Sequence, residues 1–383
     1  MKRGFGLGGW VGAVALAGLC PLAQGQSVTL FGTLDTGVEY INHANAAGQS
    51  VVRMPSYTGE FPSRFGLQGN EPLGAGYKAI FTLESGVNVG TGASSQVGRL
   101  FGRQAWVGIS SPYGDLTFGR QYSMILWTIM DSDLVGPSMY AMTSLDPYIS
   151  TSRADNSVAW RGKFGNFTAG ASWSFGRDGS QAGASNTPGQ GNCAGNLPGD
   201  AAACRDWSAM LKYQGAYGGG GVVYERQYGG PGAAINLFNG LAPLGFAASG
   251  DHDSRLILAG NTTFGSLRLG ALWINRHVTF TEPAAAGGIT TNQYVLEAAY
   301  QLTPFLNVDS LVQRMINSQQ DTRATMETLR ATYFLSKRTS VYAQCGWLQN
   351  SARGAYTVTG GGPATPGRGM NQFGTMIGMR HDF

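Results

Sequence analysis

The stretch Gly369–Phe383, GMNQFGTMIGMRHDF, alternates through to its last residue. Phe373, Thr375, Ile377, Met379, His381 and Phe383 share one parity; Gln372, Gly374, Met376, Gly378, Arg380 and Asp382 share the other. That is the period of a β-strand with an apolar face and a polar or small face. In a soluble protein the last strand usually stops short of the terminus and frays. Here it runs to Phe383, so the fold turns on which solvent meets the apolar face.

The same alternation recurs along the chain in segments of about ten residues. In SVTLFGTLDTGVEY, Val28, Leu30, Leu34, Val38 and Tyr40 oppose Thr29, Thr33, Asp35 and Glu39. In YKAIFTLESG, Tyr77, Ala79, Phe81 and Leu83 oppose Lys78, Thr82 and Glu84. NFTAGASWSF, YVLEAAY and SVYAQCGW repeat the pattern. Short turns such as NEPLG, SPYGD and GKFGN alternate with long polar segments at 42–62, 123–155, 176–205 and 229–253. Seven short turns and eight longer loops make fifteen connections, which join sixteen strands. An even strand number with short turns at one end and long loops at the other marks an outer-membrane barrel. The expected fold class is therefore all-β, a 16-stranded antiparallel transmembrane barrel. Hydrocarbon offers no hydrogen-bond partner, so such a sheet must close on itself, last strand against first. Sixteen strands leave a lumen too wide for side chains to fill. Tyr40, Trp106, Tyr122, Trp160, Trp173 and Phe175 fall near strand ends, where interfacial aromatic girdles belong.

Composition agrees with that class. Charged residues are 13% of the chain, against about 25% in ordinary soluble domains, and glycine reaches 59 of 383. Lys2 and Arg3, the apolar run to Leu22 and the small-residue exit Ala23–Gly25 read as a signal peptide over 1–25, cut near Gly25–Gln26. Cys20 follows Leu19 rather than a small residue, which argues against a lipoprotein. Losing Lys2 and Arg3 takes the net charge from +4 to +2, which excludes a basic nucleic-acid binder. Residues 26–383 are expected to form one barrel domain.

Cys193 and Cys204 flank a polar Gly/Pro/Ala stretch in an exported chain and form a candidate disulfide. Cys345 falls on an apolar parity. The histidines His43, His252, His277 and His381 are scattered, and no Cys/His cluster has metal-ligand spacing. No cofactor and no metal are expected.

The segments SVTLFGTLDTGVEY, SRFGLQGNEPLGAGYKAIFTLESG, LFGRQAWVGISSPYGDLTFGRQY, RADNSVAW and the ending GMRHDF, in this order, resemble the general-diffusion porins of Gram-negative bacteria. The likeness is to trimeric porins of Burkholderia, Bordetella and Neisseria type and covers the whole mature chain. It implies a homotrimer in the outer membrane, in contact with lipid and lipopolysaccharide, passing small hydrophilic solutes and ions. It also implies that Phe383, His381 and Met379 serve as the signal read by the barrel-assembly machinery. The third loop of such porins folds into the lumen. Its counterpart is about 123–155, and the apolar Met124, Ile125, Leu126, Trp127, Ile129, Met130, Leu134 and Met139 suit a loop packed on a wall.

By the same resemblance, Arg64, Arg103 and Arg153, with Arg120 as a fourth, belong to the constriction, facing Asp131, Asp133 and Asp146 on the loop. Asp35 and Glu39 are further acidic candidates. Parity turns Arg64 inward, because Phe65 and Leu67 face lipid. For Arg103 parity is ambiguous: a lipid-facing Trp106 turns it in, and an outward Ala105, Val107 and Ile109 turn it out. The loop carries no Glu, so its acidic side is light and a mild anion preference is expected. Competing readings are a substrate-specific channel, an outer-membrane enzyme and an adhesin. G-x-S-x-G is absent, which weakens the enzyme reading.

Overall fold

The computed structural model describes residues 27–55, 59–96, 98–177, 193–281, 288–360 and 362–383. The expected signal peptide, 1–25, lies outside the described residues. In chain order the strands are β1 Ser27–Ile41, β2 Val51–Arg53, β3 Arg64–Gly74, β4 Tyr77–Gly86, β5 Gln104–Ser111, β6 Gly114–Tyr122, β7 Arg153–Phe164, β8 Phe167–Ser174, β9 Asp206–Gln214 and β10 Gly218–Tyr228. They continue as β11 Ala234–Ile235, β12 Leu244–Gly245, β13 His252–Phe264, β14 Leu267–Thr279, β15 Ile289–Thr303, β16 Leu306–Asn317, β17 Thr322–Phe334, β18 Thr339–Asn350 and β19 Gln372–Asp382. The short β2, β11 and β12 belong to loops, and the other sixteen form the wall.

Every wall strand pairs antiparallel with its chain neighbour. The ring closes where β19 lies against β1, from Thr33↔Asp382 to Ile41↔Gly374. Gly32 and Phe383 exchange two backbone hydrogen bonds of 3.0 Å, which extends the seam to the last residue. Gly32 leaves room for the terminal ring: a Cβ there would stand 2.3 Å from Phe383 Cζ. The first half of β1 pairs with β3, and further along β1 the Ser63 hydroxyl takes over part of the ladder. It accepts from the Asp35 N–H and donates to the Asp35 carbonyl, each at 2.8 Å.

The period-two reading holds around the wall. Val28, Leu30, Val38, Leu296, Ile377 and Met379 lie exposed on the outside, while Thr33, Asp35, Glu39, Glu297 and Met376 are buried within. The turns at 75–76, 112–113, 165–166, 215–217, 265–266, 304–305 and 335–338 sit at one end, and the longer connections at the other. In an outer-membrane barrel the short-turn end is periplasmic. The girdle expectation needs correcting at two residues. Trp106 lies on the inward parity of β5, opposite Val107 and Ile109, and its indole N–H donates to Gln104; Tyr122 is buried inside and bonded to Arg103. Tyr40, Trp173 and Phe175 do face outward.

The third long loop, between β6 and β7, turns into the barrel. It contains helix α1 Met124–Ile129, a 3-10 turn Met142–Ser144 and helix α2 Tyr148–Thr151. Ser123 caps α1, its Oγ accepting from the Ile125 N–H. Met124, Ile125, Ile129, Val135 and Ile149 pack against Met210, Val223, Ile257, Leu272, Val295 and Leu311 of the inner wall. Met139, Tyr140 and Leu145 continue onto Met315, Met326, Tyr342 and Met376. Each such buried side chain contributes about 1.5–3 kcal/mol, enough to hold the loop against an otherwise wet surface. Gly170 permits the approach, since a Cβ there would stand 2.6 Å from Met124 Sδ.

Candidate functional site: the constriction

With the loop lying along one inner wall, the arginines gather on another. Arg64 and Arg103 share Glu84 of β4, at 3.1 and 2.9 Å. Arg103 also donates to the Tyr122 hydroxyl at 2.7 Å, and the Arg153 guanidinium lies 5.1 Å from the centre of the same ring. Arg99 and Arg120 share Asp155, and Arg120 Nε donates to the Gly102 carbonyl at 2.7 Å. Among the described residues, five guanidiniums thus gather around two carboxylates.

Arg153 differs from the rest. It is 6% exposed, Nε reaches only the Thr151 carbonyl at 3.3 Å, and Nη1 is buried without a hydrogen bond. No carboxylate lies within ion-pair distance of it among the described residues. Both Arg153 and Arg103 line a cavity of about 590 Å³ beside the loop, and the other residues lining it are uncharged.

The four arginines singled out from the sequence therefore converge, and Arg103 shows why parity was ambiguous for it. Val107 and Ile109, at 59% and 46% exposure, place the odd positions of β5 outside. Arg103 would follow them, but it precedes Gln104, where the strand begins, and its N–H is held by the Glu84 carbonyl at 3.1 Å. The alternation does not reach it, so its side chain is free to turn in.

The acidic half of the expectation is corrected. Asp131, Asp133 and Asp146 do not pair with these arginines; each fastens the loop. Asp131 binds Lys212 of β9 at 2.7 Å. Asp146 meets Arg255 of β13 at 3.4 Å, inside a buried array with Asp253 and Arg276. Asp133 accepts from the Gly136 N–H at 2.9 Å beside Glu297, and burial pushes its carboxyl up to about 6. Glu297 also accepts from the N–H groups of Leu134 and Val135. Packing chooses these partners: the loop lies against the wall from β8 round to β19, so Asp131 and Asp146 meet the cations of β9 and β13. Asp35 likewise accepts from the N–H groups of Glu60 and Phe61, and Glu39 binds Arg53 at 2.8 Å.

A family model described as Gram-negative porin matches residues 12–353. The chain belongs to the Gram-negative porin family. Outer membrane porin protein 32 of Delftia acidovorans is 31% identical over 97% of this chain and 98% of its own length. An outer membrane porin protein of Bordetella pertussis is 30% identical over 89% and 94%. Among solved structures, the anion-selective porin from Comamonas acidovorans superposes with a TM-score of 0.72 at 23% identity, covering 94% of this chain and all of that one. This porin is an outer-membrane β-barrel channel for passive diffusion.

Sequence reasoning missed Glu84, Arg99 and Asp155 as members of the porin's arginine cluster. Glu84 stood on the inward parity of β4, a signal that could have found it; Arg99 lies in a loop, where parity says nothing. Cys193 and Cys204 are bonded, with Cα atoms 5.2 Å apart, and pack with Phe246, Ile235 and Leu237 at the long-loop end. Among the described residues no cluster of three or more His, Cys, Asp or Glu could hold a metal.

Proposed function

We propose that the channel prefers small anions and carries out no chemical step. The observation that carries this is the lining of the constriction cavity, whose charged residues are Arg103 and Arg153, Arg153 having no carboxylate partner among the described residues. Rings of charged side chains select ions by sign, and arginine rings favour anions. Arginine suits the role because its planar fork stays charged while holding fixed hydrogen bonds. Asp131, Asp133 and Asp146 face the wall rather than the arginines, so they offset little of that field.

The histidines support the absence of catalysis. His43 and His252 meet backbone carbonyls, and His277 and His381 meet threonine hydroxyls, so none is paired with a carboxylate as a triad requires. We also propose a homotrimer seated through the apolar outer wall, lipopolysaccharide as its outer-leaflet neighbour, and Phe383, His381 and Met379 as the address read at barrel insertion. The outward exposure of Met379, His381 and Phe383 along β19 supports that last role.

Reversal potentials across a planar bilayer in a KCl gradient test the selectivity. Anion preference requires the zero-current voltage to move toward the chloride equilibrium potential. A shift toward the potassium potential overturns the reading.

A further inference from the structure

A second cationic cavity lies beyond the constriction, at the short-turn end. Its volume is about 410 Å³, and Arg161, Lys163 and Lys212 stand around it beside Trp127. We propose that this vestibule is a separate anion-binding station, taking small oxyanions of phosphate type after they pass the arginines.

The geometry of each group supports a ligand site. The Arg161 guanidinium lies over the Trp127 ring, 3.5 Å from its centre. Stacking fixes the plane of the fork and leaves its N–H edges pointing sideways; they make no hydrogen bond or ion pair with any described residue. Asp115 also lines the cavity and stands opposite Arg161 in the β6–β7 register, without an ion pair between the two, so three cations face this one carboxylate and the Asp131 that holds Lys212. Lys212 is held in place from the other side: its ammonium donates to Asp131 at 2.7 Å and to the Trp127 carbonyl at 3.0 Å. An ammonium has three donors, so one remains.

Lys163 and Lys212 lie in one cross-strand row with Thr168 between them, from the registers Lys163↔Thr168 and Thr168↔Lys212. The row therefore offers ammonium, hydroxyl and ammonium side by side on the inward face. Arg161, two residues before Lys163 on the same face, adds a planar fork above it. A fork, two ammoniums and a hydroxyl converging on one cavity match an anion with several oxygens better than a halide, because each donor finds its own acceptor.

Trp127 belongs to α1 of the inward loop, so the loop itself builds one side of this station. The loop thus has two faces: one edge borders the cavity of Arg103 and Arg153, and the other presents the indole that orders Arg161.

The test is single-channel recording in KCl, with inorganic phosphate added to one side at a time. Phosphate should block the chloride current, more effectively from the short-turn side. In R161Q/K163Q the half-blocking concentration should rise about tenfold, the loss of roughly one charge-assisted contact. K163Q alone should raise it several-fold; Lys163 makes no hydrogen bond or ion pair with a described loop residue, so this variant removes none of the bonds that hold α1. Equal block in the unaltered protein and in both variants would overturn the proposal. So would block abolished in R153Q but retained in K163Q, which would place the site at the constriction. Failure of the anion preference itself would appear elsewhere, in the reversal potential of the unaltered channel.

Discussion

Replacing Arg153 by glutamine should reduce anion preference without dismantling the barrel. Arg153 is the member of the cluster without a carboxylate, so its removal orphans no buried acid, whereas loss of Arg103 would weaken the hold on Glu84. The magnitude follows from Coulomb's law in a water-filled lumen. At about 5 Å from a passing ion, one charge is worth ~0.8 kcal/mol at the dielectric constant of water. Screening at 0.1 M salt, with a Debye length of about 10 Å, reduces that to roughly 0.5 kcal/mol. Chloride enrichment then falls a little over twofold and potassium enrichment rises by the same factor, so the permeability ratio drops about fivefold. The assay is the reversal potential of R153Q beside the unaltered protein at the same gradient, with heat stability of the folded barrel as the control. The reverse substitution gives the opposite sign: E84Q uncovers Arg64 and Arg103 and should strengthen anion preference. A ratio unchanged in R153Q, with the barrel intact, would refute the assignment of the field to this cluster.

Three further outcomes are expected. Gly32→Val should lower refolding yield and the melting temperature, because a side chain there collides with the Phe383 ring at the closing seam; refolding at the unaltered yield would contradict that role. The Asp133 carboxyl keeps its proton to about 6 in the folded protein and to about 3.8 when unfolded, so its contribution declines as pH rises across that window and is flat above it. Protection factors over 131–139, corrected for the intrinsic pH dependence of amide exchange, should therefore be larger at pH 4.5 than at pH 7, and D133N should shrink that difference, Glu297 beside it retaining its own part. Replacing Cys193 and Cys204 by serine should loosen the long-loop end, at a cost of about 2–3 kcal/mol for a loop of this length. Conductance steps should persist in that variant; their disappearance would show that the bond supports the wall.

What the sequence revealed depended on how far a period of two can reach. Ile377 and Met379 faced lipid and Met376 faced the interior as their alternation required, because each sits in the middle of a paired strand. Parity failed at Arg103, one residue before its strand, where a bend and the Glu84 carbonyl decide direction. Trp106 and Tyr122 show a related limit. Aromatic residues near strand ends serve a girdle or a lumen equally well, and it is the exposure of Val107 and Ile109, with the register against buried Thr82, that turns Trp106 inward. The loop acids could not be paired from sequence at all. Asp146 lies 109 positions from Arg255, and which wall the loop covers is a property of packing between distant apolar groups. Glu84 was readable as inward, but its sharing between Arg64 and Arg103 was not, since that depends on the β3–β4 and β4–β5 registers together.

The central claim is a closed, water-filled cylinder narrowed by a loop and a cationic wall. Conductance of the purified, refolded protein in a planar bilayer tests it most directly. The account requires discrete ohmic steps whose size scales with bulk KCl conductivity. A silent bilayer, despite verified insertion of folded protein, would contradict it.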